Sequence, residues 1–158
     1  MFNIGDKVVY PMHGAGIIEA IEEKEILGEK QKYYVMRMPI GDMKVMIPLK
    51  NIKEIGVRQV AGDDEIREVL NILHGEKSKM SANWNRRYRA NMEKIRSGNI
   101  FQVAEVVRNL SIREREKGLS TGERKMLENA KNILVNEIVL SKNIKEEEAL
   151  QLIENAFN

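Results

Sequence analysis

The sequence contains no cysteine, which removes disulfides, thiolate metal sites and cysteine nucleophiles and agrees with a reducing compartment. Histidine is nearly as scarce: His13 and His74 are the only two, and neither stands in a metal-ligand spacing such as HExxH. A surface or turn position suits each. No apolar run approaches the roughly 20 residues of a membrane-spanning helix, and MFNIGDK is no basic segment leading into an apolar one, so export is not expected. The expected location is the cytoplasm. The GxxxxGK[ST] pattern is missing, which excludes a P-loop motor. His13-Gly14-Ala15-Gly16 opens no helix and therefore reads as a turn that needs positive φ, not as a phosphate cradle. Glu146 to Glu148 fall in the first turn of a helix, where acids offset the dipole. No catalytic residue, cofactor or metal site is assigned, and a non-enzymatic protein is expected.

What is present is a chain of 158 residues, 42% hydrophobic and 32% charged, the composition of a globular protein with room for one medium domain or two small ones. Its halves differ in pattern. Residues 1–58 carry four runs rich in β-branched and aromatic residues, DKVVY (6–10), AGIIEAIEEKEI (15–26), KYYVMRM (32–38) and MKVMIPL (43–49), separated by short breaks. Short breaks imply antiparallel pairing in a small, bent sheet or barrel, and Pro48 ends the last ladder because proline cannot donate to it. The stretch 54–65 has little periodicity, and beyond it the apolar period becomes 3.6. Helices are expected over 63–75 with Gly75 at C′, from about Ser81 to Ser97, from Asn99 to near Gly118, from Ser120 onward with a capping box in STGE, and over 145–157. The fold class is therefore α+β in two domains: 1–58, small antiparallel β, and 59–158, about five helices.

Net charge is +2, which by itself names no partner. Between residues 77 and 96, however, Lys77, Lys79, Arg86, Arg87, Arg89, Lys94 and Arg96 stand against Glu93 alone, a local +6 with −4 over the rest of the chain. Arginine predominates, and its planar fork donates bidentately to phosphate. The single tryptophan, Trp84, opens this segment. At 100° per residue Trp84, Tyr88, Met92 and Ile95 share an arc of about 80°, the core stripe of an amphipathic helix. On pattern alone Trp84 is a core residue. Its place in the first turn leaves a second reading, an indole projecting beyond the core to stack on or wedge between bases. Arg86 and Arg89 lie away from the stripe, while Arg87 and Lys94 flank it.

GDKVVYPMHGAG (5–16), GDMKVMIP (41–48), NWNRRYRANMEKI (83–95), AEVVRNL (104–110) and LSTGERKML (119–127), in that order, resemble the CarD/CdnL family of bacterial transcription regulators over nearly the whole chain. The resemblance implies an N-terminal Tudor-like domain that binds the RNA polymerase β subunit and a C-terminal helical domain that binds promoter DNA. By that likeness an exposed strand, Lys44, Val45, Met46, Ile47 and Pro48, adds to a strand of polymerase, with Lys24 facing it. Some members carry arginine at the positions of both Lys24 and Met46. This chain keeps a base at the first only, so an ionic contact at Met46 is absent. The family also implies that Trp84 wedges into the minor groove at the upstream edge of the transcription bubble, with Arg86 and Arg89 on the backbone; Arg87 and Lys94 join the expected DNA-binding set by helical spacing, as the bases that flank the stripe. That arrangement stabilises the open complex with low sequence specificity, the protein acting as a monomer on polymerase. The alternative is an interaction module on polymerase in which Trp84 is core and no wedge forms.

Overall fold

The computed structural model describes residues 1–157; Asn158, the last residue of the expected helical span, lies outside the described residues. Strands β1 (Lys7–Tyr10), β2 (Gly14–Ile26), β3 (Glu29–Arg37), β4 (Lys44–Pro48) and β5 (Arg58–Gln59) form one antiparallel sheet in the order β4-β3-β2-β1-β5. A one-turn helix, α1 (Ile52–Ile55), precedes β5, and five helices follow: α2 (Asp63–His74), α3 (Trp84–Arg96), α4 (Ile100–Glu116), α5 (Thr121–Lys142) and α6 (Glu146–Ala156). The protein is α+β, with the β elements first.

Alternation decides which residues the sheet buries. Val8, Ile18, Tyr34, Met36 and Ile47 point to one side and form its core. Val9, on the opposite face of β1, packs with Ala15 against Leu140 of α5. The β2–β3 hairpin turns on Leu27 and Gly28, both at positive φ (53° and 81°), the backbone of a type I′ turn whose twist matches the strands. Gly16 has no room for a side chain, since a Cβ there would lie 2.5 Å from the Met36 Cγ and 2.7 Å from the Arg37 carbonyl oxygen.

The helical core is assembled from the stripes that periodicity implies, among them Ile66, Val69 and Leu73 on α2, Val103, Val106, Val107 and Leu110 on α4, and Met126, Ala130, Leu134 and Ile138 on α5. Asn83, Asn99 and Ser120 cap α3, α4 and α5 through their side-chain oxygens, each meeting an orphan amide of the first turn. Two boundaries differ from expectation. Helix α3 begins at Trp84, three residues later than Ser81, because Asn83 is its cap and the Asn83 amide is turned back to Ser81 Oγ (3.1 Å). Gly75 closes α2 in an extended conformation, φ −74°, ψ 179°, and is not a left-handed C′ residue.

Candidate nucleic-acid interface and sheet edge

The segment before α3 is fastened to α4. Ser78 donates its amide to Asn109 Oδ1 (3.0 Å), Arg108 reaches Ser78 Oγ (2.6 Å), and Lys77 pairs with Glu116 (2.7 Å). These bonds fix where the first turn of α3 starts, and thus where Trp84 stands. Its side chain is 42% exposed. The indole stacks on Tyr88, with centroids 5.0 Å apart and planes at 20°, and Nε1 donates to Ser120 Oγ at 2.9 Å. A Cβ on Gly122 would sit 3.6 Å from Trp84 Cζ2, so the ring lies beside the opening turn of α5. The stripe therefore does not bury Trp84. The first turn carries it past the end of the core, and three neighbours hold what remains covered.

Arg87 requires a correction. It is 4% exposed, its Nε and Nη2 donate to the Glu123 carboxylate at 2.8 and 3.2 Å, and its Nη1 donates to the carbonyls of Ser81 and Ala82 at 3.1 and 3.3 Å. A guanidinium so enclosed holds no phosphate. It instead joins the start of α3 to the start of α5. The hydrogen bond from Arg87 holds the Glu123 carboxyl below the ordinary carboxylate value, aided by the Arg87 charge and Ser120 and opposed by burial. The STGE pattern predicts that Glu123 closes a capping box. Its amide does meet Ser120 Oγ (3.2 Å), but its carboxylate is turned to Arg87.

Lys94 pairs with Glu105 of α4 at 3.2 Å and is one-third exposed, so its charge is largely met within the protein. Arg86 and Arg89 are exposed and make no ion pair among the described residues. With Lys77, Arg87 and Lys94 engaged, the bases left for an outside anion in this segment are Lys79, Arg86, Arg89 and Arg96.

Within the sheet β4 is an edge strand, paired with β3 on one side only. Val45 and Ile47 face the sheet core, and Ile47 is fully buried, so Ile47 offers a partner its backbone and not its side chain. Lys44, Met46 and Pro48 alternate onto the outer face. Lys44 is exposed there and pairs with Glu19 at 3.0 Å. Lys24 does not oppose β4. It lies on β2 across from Gln31, beyond the pair Tyr33–Pro48 that ends the β3–β4 ladder. It nevertheless shares the outer face with Met46, because Lys24, Glu22 and Ala20 alternate together and Ala20 and Met46 both pair with Val35.

Sequence reasoning misses Ser120, Gly122 and Glu123 as parts of the Trp84 site. The STGE segment is a visible signal, but its pattern speaks only of a helix cap. Among the described residues no cluster of three or more His, Asp or Glu is placed to hold a metal ion, and no helix is long and apolar enough to cross a membrane.

Residues 68–154 match the family described as the CarD C-terminal domain, and residues 2–61 match the CarD-like/TRCF RID domain. The chain is 48% identical over 149 residues to the putative transcription factor YdeB of Bacillus subtilis, covering 94% of this chain and 97% of that protein. Among solved structures it is similar to the N-terminal domain of Myxococcus xanthus CarD, with 39% identity, 39% of this chain and 81% of that one covered, and a TM-score of 0.33. It is also similar to CdnLNt from the same organism, with 34% identity, 40% and 89% covered, and a TM-score of 0.35.

Proposed function

The chain belongs to the CarD-like family of transcription factors, with an N-terminal domain of the RNA polymerase interaction class, and from that premise we propose that it bridges polymerase and promoter DNA at the melted fork. Strand β4 adds to an exposed strand of the polymerase β subunit, taking affinity from main-chain hydrogen bonds. Trp84 enters the minor groove at the upstream edge of the bubble, and Arg86 and Arg89 hold the adjoining phosphates.

The observation that carries this reading is the state of Trp84. It is exposed enough to contact a base step, yet stacked on Tyr88 and bonded to Ser120, so little rotamer freedom is lost on binding. Unstacking a step of intact duplex costs about a few kcal/mol, and a fork has already met that cost. Preferential binding to the melted state shifts the population toward it, so bubble collapse slows. Phosphate contacts carry no sequence information and a wedge reads deformability; sequence specificity is low and no chemistry is catalysed. Attachment to polymerase supplies the effective concentration that a small basic surface needs.

Trp84 is the single tryptophan, so its fluorescence reports on this site directly. Titration with forked DNA at low salt is expected to quench it and lower its access to an aqueous quencher, while intact duplex does so weakly. Emission unchanged by both substrates contradicts the wedge and leaves an interaction module in its place.

A further inference from the structure

The two-ended reading above requires that the polymerase edge and the tryptophan be held in a fixed relation, and, resting on that reading, we infer that Arg58 is the positioning residue that supplies it. Arg58 lies on β5, which pairs with β1 at Val8 and Val9. Its Nη1 and Nη2 donate to the two carboxylate oxygens of Glu137 on α5 at 2.7 and 2.8 Å. Its Nε donates to the carbonyl of Gly98 at 2.8 Å, just past the C-terminal end of α3. One guanidinium thus ties the sheet both to α5, which holds the Trp84 ring, and to α3, which carries it.

Glu137 is 1% exposed and also accepts the Ala61 amide at 2.7 Å, so the chain leaving β5 is bound to the same carboxylate. The other polar ties across the junction, Lys7 Nζ to the Leu140 carbonyl (2.9 Å) and Ser141 Oγ to the Ala61 carbonyl, engage α5 and not α3. The apolar part joins Val9, Ala15 and Leu140 with Ile17 and Val60 beside them, and Ile40 of the β3–β4 connection packs on the helical core. Beside it is a cleft of about 240 Å³, open to solvent, between the turn at Met12 and His13 and the side chains of Met92, Ile95 and Met126. Surfaces facing an open cleft do not interlock there as a close-packed interior does, whereas a planar bidentate fork constrains angle strongly. Lysine provides the charge without the fork.

The cysteine-free chain permits a direct test on the full-length protein. Lys53→Cys on α1 and Asn85→Cys on α3, both exposed, take spin labels, and the distance between them is measured with Arg58 and with Arg58→Lys. The open-complex lifetime on polymerase is measured for the unlabelled proteins. One narrow distance is expected with Arg58. Arg58→Lys should broaden the distribution and lose most of the lengthening of open-complex lifetime, while affinities for polymerase and for forked DNA, measured separately, stay as in the parent. An unchanged distribution overturns the inference, as does a broadened one with full stabilisation of the open complex. Glu137→Gln, which keeps an acceptor for Ala61, repeats the test if Arg58→Lys fails to melt cooperatively. Trp84→Ala run in parallel separates the two failures: if it too leaves the lifetime unchanged, the wedge is wrong, and the distance measurement still decides the role of Arg58.

Discussion

Arg86 and Arg87 are neighbours in sequence with opposite environments, the first exposed and unpaired among the described residues, the second 4% exposed against Glu123. Arg87→Ala leaves a buried carboxylate uncompensated and is expected to cost about 3–5 kcal/mol in chemical denaturation. Arg86→Ala or Arg89→Ala should change stability by less than about 0.5 kcal/mol. Each should reduce the slope of log affinity for DNA against log salt by about 0.9 in magnitude, the effect of leaving a single phosphate without its cation. Equal destabilisation by Arg86→Ala and Arg87→Ala contradicts the assignment. Glu123 adds a pH signature. Its folded value lies below its unfolded one, so the stability it contributes is present above the ordinary carboxylate range and is lost as pH falls through the lower folded value. Wild type should therefore lose stability on acidification below about pH 4.5 more steeply than Glu123→Gln, as followed by denaturant midpoints at successive pH values. At this scale the sequence is a partial guide. The exposure of Arg86 and Arg89 follows from helical angle alone. The burial of Arg87 depends on Glu123, 36 residues away, and the anchoring of Trp84 depends on Ser120, equally distant; no local period registers either partner.

Among the elements, the four long strands and five long helices are legible because each carries its own signal: period 2 with β-branched residues, or period 3.6 with caps. The elements that escape such reading lack a signal of this kind. Strand β5 is two residues long and exists because β1 offers it an edge, while α1 is a single turn closed by Gly56 at φ 84°. The strand proposed to bind polymerase is visible in its sequence, but its place at the edge of the sheet comes from the pairing order β4-β3-β2-β1-β5. Met46 is on the outer face of that edge strand and only half-buried, so Met46→Glu should leave the fold and the binding of free DNA unchanged. Polymerase binding and the effect on the open complex should both fall, measured by pull-down and by lifetime. Loss of free DNA binding as well would contradict two separate surfaces and point to unfolding.

For the whole molecule, the near-neutral charge of +2 is an average over unlike regions. The folded protein sharpens the +6 segment further, since Glu116, Glu123 and Glu105 engage Lys77, Arg87 and Lys94 and leave Lys79, Arg86, Arg89 and, at the far end of α3 from Trp84, Arg96. A surface of that size binds DNA weakly alone, and its action depends on the tether at β4 and on the junction that joins the two. A β-then-α plan is readable as a change of period beyond the stretch 54–65, whereas the ties across the junction, Arg58 with Glu137 and Lys7 with Leu140, join residues far apart in sequence and are set by the fold. The central claim is that Trp84, held on α3 by Ser120 and Tyr88, stabilises melted promoter DNA on polymerase. It is tested most directly by the lifetime of competitor-challenged open complexes with wild-type protein, with Trp84→Ala and with no protein. The account predicts a lengthened lifetime with wild type and one near that of polymerase alone with the mutant; equal lengthening by both proteins contradicts it.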